Sequence, residues 1–234
     1  MTDHDHRRVI AIDGPAAAGK STVARCLADQ LGIMLFDTGA LYRAVTLAAL
    51  RGDIDLADET ALAQLAVDLH IDLRPASVED DRLADVILDG EDVTWEIRSP
   101  AVDANVSRVA AYPAVRDALL AVQRNIADGS EVVMVGRDIG TIVTPRAGTK
   151  IYLDASVEER ARRRHQDLRK QGVATDFLSV MEDLRERDYK DSSRTTAPLR
   201  AANDAVRIVT DGLSVDEIVL SIARLVRERW GEAA

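Results

Sequence analysis

The chain has 234 residues, of which 47% are hydrophobic and 30% charged, and a formal net charge of −10. That length and balance suit one globular unit with a sizeable core and exclude a fibrous or intrinsically disordered chain. No apolar run of about eighteen residues is present and the N-terminal stretch MTDHDHRR is polar, so neither a helical membrane span nor a secretory signal is expected, and a cytoplasmic location is.

The charge is segregated. Between Asp53 and Asp92, thirteen acidic residues accompany only Arg74 and Arg82, which leaves that segment at −11 and the remainder of the chain at +1. A solvated acidic face is expected there, and no nucleic-acid surface. The single Cys26 cannot form an intramolecular disulfide and fits the apolar face of a helix with Val23 and Leu27.

The first predicted element is the apolar strand VIAI, residues 9–12. It leads into GPAAAGKST, where Gly14, Gly19, Lys20 and Ser21 match G-x-x-x-x-G-K-[ST] before a predicted helix. In such a loop the backbone of Gly14, Pro15, Ala16, Ala17, Ala18, Gly19, Lys20, Ser21 and Thr22 surrounds phosphates at a helix N-terminus, every residue but Pro15 offering an N–H. Lys20 reaches the outer phosphates of ATP and Ser21 ligates Mg2+. The second strand, IMLF (33–36), runs into DTGALYRA, which places Asp37, Thr38, Tyr42 and Arg43 where the carboxyl end of a parallel strand opens into a crevice. Residues 67–94 break the rhythm. VDLHIDLR alternates in period two and VILDGEDVT holds an Asp-Gly turn, so an antiparallel insert is expected to form a small appended lobe.

The third core strand, EVVMV (131–135), ends in GRDIGT and offers Arg137 and Asp138 at the same sheet edge. After the strand KIYL (150–153) comes a Ser156–Glu159 capping box and the helix ERARRRHQDLRK; residues 158–170 hold six basic and three acidic side chains. Those arginines are expected to repel one another and keep the segment open until phosphates neutralise them, although exposed Glu–Arg pairs explain Arg162, Arg164 and Arg169 equally well. Arg187 and Arg194 lie in the polar run RERDYKDSSRTTAPL with Asp188, Asp191, Ser192 and Ser193. Its apolar content is too low for a core helix, so it is expected to grip phosphate and ribose. The last strand is VRIV (206–209), followed by a Ser214–Glu217 capping box. Trp95 and Trp230 are expected to pack, and His4, His6, His70 and His165 show no metal-ligand spacing.

Strand and helix alternate, as in an α/β fold with a parallel sheet. The P-loop alone leaves open an NTP-dependent switch, a motor or a small-molecule kinase. The tetrapeptide Asn-Lys-x-Asp, with which GTPases usually read guanine, is absent. The number of arginines points to an anionic acceptor, since phosphoryl transfer onto a phosphate needs charge neutralisation and positioning rather than a general base.

The blocks IDGPAAAGKST, FDTGALYRA, EDVTWEIRSP, VSRVAAYPAVR, GRDIGT and ERDYKDSSRTTAPLRAANDA, in this order from about Arg8 to about Leu225, resemble the bacterial cytidylate kinase family. The resemblance implies transfer of the γ-phosphate of ATP onto CMP or dCMP, by a monomer, with kinases of UMP, AMP or shikimate as the nearer rivals. It implies a P-loop kinase with a five-stranded parallel sheet flanked by helices, a monophosphate-binding lobe with a small antiparallel insert, and a helical lid. The corresponding divisions are a core at about 8–37, 108–156 and 174–230, a lobe at about 38–107 and a lid at about 157–173.

By the same resemblance Thr38 contacts the acceptor, and Arg43 and Arg137 hold the CMP phosphate. Ser107, Arg116 and Asp138 read cytosine, while Arg187 and Asp191 approach the ribose and Arg194 touches phosphates during transfer. Arg160 and Arg163 of the lid reach ATP, and Asp37 orients Mg2+ through water. Lys20, Arg137, Arg187 and Arg194 form the catalytic set. The chain departs from the family's usual pattern at Ala16–Ala18, where a further Gly or Ser is common, at Val135, where Asp is frequent, and at VTDG, which often reads Asp-Thr-Ser. These departures bear on minor contacts near the sheet edge and the adenine, not on the reaction.

Overall fold

The computed structural model describes residues 8–80, 82–128, 130–170 and 172–231. In chain order, strand β1 (Val9–Asp13) leads to helix α1 (Lys20–Leu31), β2 (Met34–Asp37), α2 (Gly39–Arg51) and α3 (Glu59–Asp68). The small strands β3 (Ile71–Arg74), β4 (Asp85–Leu88) and β5 (Glu91–Asp92) follow, then α4 (Pro100–Val109) and α5 (Pro113–Ala127). The chain finishes with β6 (Val132–Val135), β7 (Thr149–Asp154), α6 (Val157–Lys170), α7 (Phe177–Ser193), β8 (Val206–Val209) and α8 (Val215–Trp230).

All five expected core strands form one parallel sheet in the order β2-β6-β1-β7-β8. Every residue of β1 is buried, because successive side chains serve opposite apolar layers. Val9 and Ala11 join Leu41, Val45, Leu62 and Leu119 of α2, α3 and α5, whereas Ile10 and Ile12 join Val23, Leu27, Ile222 and Val226 of α1 and α8. Cys26 lies partly buried at the edge of this second layer. The parallel strands all end on one side, so the segments after β1, β2 and β6 meet there and build the site.

The antiparallel insert is present as the sheet β3-β4-β5. Asp89 and Gly90 turn the β4–β5 hairpin with φ of 49° and 90°, the left-handed pair that an Asp-Gly sequence supports. The period-two run starts later than expected, since Val67 and Asp68 close α3, and the strand begins at Ile71. The acidic segment is not merely a solvated face. Arg82 binds Asp80, Asp85 and Asp92, and Arg51 binds Glu91 and Glu96. Trp95 does not pack inside: it is 49% exposed and its indole N–H donates to Asp80 at 2.9 Å. Trp230 does pack, against the α1–α8 layer.

Two other expectations change. The polar run carrying Arg187 is helical, because Phe177, Val180, Met181 and Leu184 just upstream form an apolar stripe that packs on Ala16 and Ala161. The Ser156 cap is half a box: its Oγ accepts the Glu159 N–H at 3.2 Å, but Glu159 turns to Arg162 and Arg163, and Asp211 takes the Ser156 N–H at 3.0 Å. At Ser214 and Glu217 the box is complete. His4 and His6 lie outside the described residues. Among the described residues no helix is long and apolar enough to cross a membrane.

Candidate active site

The loop between β1 and α1 is shaped by backbone needs before any ligand is considered. Gly14 has φ of +149°, and a Cβ there would stand 2.0 Å from the Leu153 carbonyl oxygen, so this glycine is demanded by contact with β7. Gly19, at φ of 85°, caps α1. Ala17 adopts φ of 59°, a left-handed conformation that costs a non-glycine residue about 1 kcal/mol. Lys20 is buried at the first turn of α1 and donates to the Pro15 carbonyl at 2.5 Å. Burial and the nearby Arg137 push its ammonium well below the ordinary lysine value.

Beneath the loop lies Asp13, a residue that sequence reasoning missed. Its two carboxylate oxygens accept the N–H groups of Ile139 and Gly140, both at 2.8 Å, tying the end of β1 to the turn that carries Arg137 and Asp138. Burial raises its pKa to about 6, against the two N–H bonds that lower it. An acid closing an otherwise apolar strand is the signal that could have found it.

A cavity of about 670 Å³ opens from this loop across the carboxyl edge of the sheet. Ala16, Ala17, Ala18, Gly19, Lys20, Ser21 and Thr22 line one end. Thr38, Arg43, Ser107, Arg116, Arg137 and Asp138 line the other, and Arg187, Asp191 and Arg194 of α7 and its C-terminus close the side. Gly14 and Pro15 lie outside the lining.

The end of the cavity opposite the phosphate loop is held together by charge. Arg116 and Asp138, both buried, form an ion pair at 2.5 Å, and the Arg116 guanidinium lies 5.2 Å from the centre of the Tyr42 ring. Asp191 accepts from Arg137 at 3.1 Å and stands 3.8 Å from Arg194. Thr38 lines the cavity, yet its hydroxyl already donates to the Val135 carbonyl at 2.9 Å.

Positive charge is left over. The Nε–H groups of Arg187 and Arg194 are buried with no hydrogen-bond partner among the described residues. Burial and Arg137 lower Arg187 to about 10. Arg98, a second residue that the sequence reading left without a role, also lines the cavity and is held below the ordinary arginine value by desolvation. Buried N–H groups of a cation left without an acceptor cost free energy unless an anion arrives.

The arginines of α6 separate. Arg163 lines the cavity, with its other contacts at Glu159 and Thr210. Arg160 does not line it: the side chain is buried, pairs with Asp188 through both terminal nitrogens, and donates to the carbonyls of Ala155 and Ala16. The expected mutual repulsion is also corrected, since Asp188, Glu159 and Asp103 partner Arg160, Arg162, Arg163 and Arg164.

Ser21 Oγ donates to Asp37 Oδ2 at 3.1 Å, so two hard oxygen donors stand together at the N-terminus of α1. Among the described residues no group of three or more metal-ligating side chains occurs. One or two protein oxygens with the balance supplied by phosphates is the ligand set that suits Mg2+.

A phosphate loop at one end and an arginine wall at the other, with a cation excess between them, define a P-loop kinase that works on an anionic acceptor. A family model for cytidylate kinase matches residues 10–228. A cytidylate kinase of Geobacillus kaustophilus is 51% identical over 226 residues, spanning 96% of this chain and 99% of its own length. One from Herpetosiphon aurantiacus is 49% identical over 217 residues, 93% of each chain. The chain belongs to the cytidylate kinase family.

Proposed function

We infer that this chain carries the γ-phosphoryl group of ATP onto the phosphate of CMP or dCMP, giving ADP and the nucleoside diphosphate, in one in-line step. The observation that carries the residue assignment is the pair of buried, unpartnered Nε–H groups on Arg187 and Arg194 between the phosphate loop and the Arg116–Asp138 wall. The triphosphate of ATP and the phosphate of the nucleoside monophosphate, meeting there, would supply negative charge.

In this reading the backbone of Ala16–Thr22 and Lys20 hold the donor phosphates, with Arg163 of α6 covering them. Arg43 and Arg137 take the acceptor phosphate, and Arg98 adds a third cation beside them. Arg187 and Arg194 span the phosphoryl group in transfer, and Asp191 orients Arg137. The acceptor oxygen is already ionised near neutral pH, so no side chain has to remove a proton. Ser21 and Asp37 would hold Mg2+, which would supply positive charge against the phosphates. Arg160 serves a different purpose, clamping α6 to α7 and to the phosphate loop.

Ser107, Arg116 and Asp138 read the base. A carboxylate accepts from the exocyclic amine of cytosine and faces a carbonyl oxygen in uracil. Turnover of CMP, dCMP, UMP and AMP with ATP and Mg2+, measured alongside Arg187→Ala, tests the assignment. CMP and dCMP are expected as the good substrates, and the variant is expected to lose turnover. Equal use of UMP would remove the base-reading set, and an active Arg187→Ala would remove the phosphate role.

A further inference from the structure

One carboxylate joins the acceptor side of the cavity to helix α6. Asp103, on α4, accepts from Arg43 of α2 through Oδ1 at 2.6 Å and from Arg164 of α6 through Oδ2 at 2.7 Å. The other terminal nitrogen of Arg43 donates to the Ile97 carbonyl at 3.0 Å, so Asp103 and Ile97 together fix the plane of that guanidinium. Burial works against the charged carboxyl, but Arg43 and Arg164 outweigh it and hold Asp103 below the ordinary carboxylate range. Arg98 and Arg187, which also feel this charge, make no ion pair of their own among the described residues. Asp103 is thus one of the few acids, with Asp37 and Asp191, that face a crowd of cations drawn from separate elements.

We propose that Asp103 is a positioning residue that couples the two substrate sites, by sharing its carboxylate between Arg43 at the acceptor phosphate and Arg164 on the helix over the donor. The proposal rests on the reading of Arg43 as an acceptor-phosphate residue and α6 as the cover over ATP. Two guanidinium groups on one carboxylate repel each other, so neither pair reaches its full strength. A nucleoside monophosphate brings about two negative charges to Arg43. That cancels the repulsion felt by Arg164 and places a second anion near it, so α6 docks more firmly. Acceptor binding thus tightens donor binding, and linkage requires donor binding to tighten acceptor binding by the same factor.

The test is calorimetric titration of a non-hydrolysable ATP analogue with Mg2+, with and without saturating CMP, on wild type, Asp103→Asn, Arg164→Gln and the double variant. Wild type should bind the analogue about fivefold tighter when CMP is present, at the low end of ordinary coupling. Each single variant should bring that factor below about 1.5, and the double variant should lose no more than either single, because both changes cut the same link. Arg164→Gln alters only the α6 end, so it tests the link even if Asp103→Asn folds poorly. Coupling that survives in both single variants, or that wild type never shows, overturns the proposal. Arg43→Gln separates the underlying reading: if it leaves CMP affinity unchanged, Arg43 does not hold the acceptor phosphate, whatever the coupling does.

Discussion

Arg82 and Arg187 are the same residue type in opposite company. Arg82, in the antiparallel lobe, has a side chain only 8% exposed and is met by three aspartates, so its charge is settled within the protein. Arg187, on α7, has a buried Nε–H without a partner among the described residues and a pKa pressed down to about 10, chiefly by burial. Arg82 is held by acids of its own lobe; the crevice gathers cations from α2, α7 and the segments after β6 and before α4 faster than acids. Satisfied charge shapes a surface, and unsatisfied charge shapes a site.

The largest effect should come from Lys20→Ala, which removes the ammonium from the donor end of that cation excess. Turnover should fall by at least about 100-fold, corresponding to roughly 3 kcal/mol of barrier, while the melting temperature holds or rises. A variant within tenfold of wild type would mean that another cation does the work. Next, Arg187→Ala and Arg82→Ala set the two regions against each other directly. Arg187→Ala should cost about 100-fold in kcat/KM with no loss of thermal stability, since an uncompensated buried charge has gone. Arg82→Ala should keep its turnover within about threefold but melt several degrees lower, because Asp80, Asp85 and Asp92 are left to repel one another. Reversal of either pattern would dissolve the contrast.

Asp138→Asn sharpens it further within the crevice, since the amide can turn to donate toward uracil and no longer pairs fully with Arg116. The ratio of kcat/KM for CMP to that for UMP should drop by at least about tenfold, with ATP binding unchanged. An unaltered ratio would reassign Asp138 to holding Arg116.

The smallest effect concerns Asp13, an acid satisfied by backbone N–H groups rather than by a cation. Its folded pKa of about 6 exceeds the ordinary aspartate value of 3.8. Its contribution to stability is therefore fully present below the unfolded pKa and is lost as pH rises through about 6. Relative to Asp13→Asn, wild type should gain about 1 kcal/mol on moving from pH 7 to pH 5. Urea unfolding at the two pH values reads this difference, and parallel shifts in both proteins would show that Asp13 ionises normally.

What was legible in the chain was whatever repeats over a few residues. The five core strands, the phosphate loop and the Asp-Gly hairpin each declare themselves through local apolar pattern or required backbone angles, and each formed where expected. Partnerships across the chain left no such trace. Arg160 and Arg163 are alike on paper and three residues apart, yet one meets Asp188 from α7 and the other faces the cavity. The net charge of α6 likewise misled, because Asp103 and Asp188, which offset it, come from other helices. The helix around Arg187 was hidden by composition: its apolar stripe ends at Leu184, before the polar run begins. Asp103 and Asp13 act through what the fold brings to them, Arg43 and Arg164 in one case and two amide groups in the other.

The Arg160 clamp has a mechanical consequence. Pinned at once to the Ala155 carbonyl, the Ala16 carbonyl and Asp188, the first turn of α6 is an anchored pivot, and the helix beyond it is a lever whose arm reaches from Arg160 to Lys170, tethered on the way by Arg163 at Thr210 and Arg164 at Asp103. At 1.5 Å per residue that arm is about 15 Å long, so a tilt of about 20° at the pivot sweeps its tip through about 5 Å while barely displacing the root. Any such swing is geared to the phosphate loop by the same guanidinium that fixes its axis, and the loop carbonyl at Ala16 is the first point at which the motion would be felt.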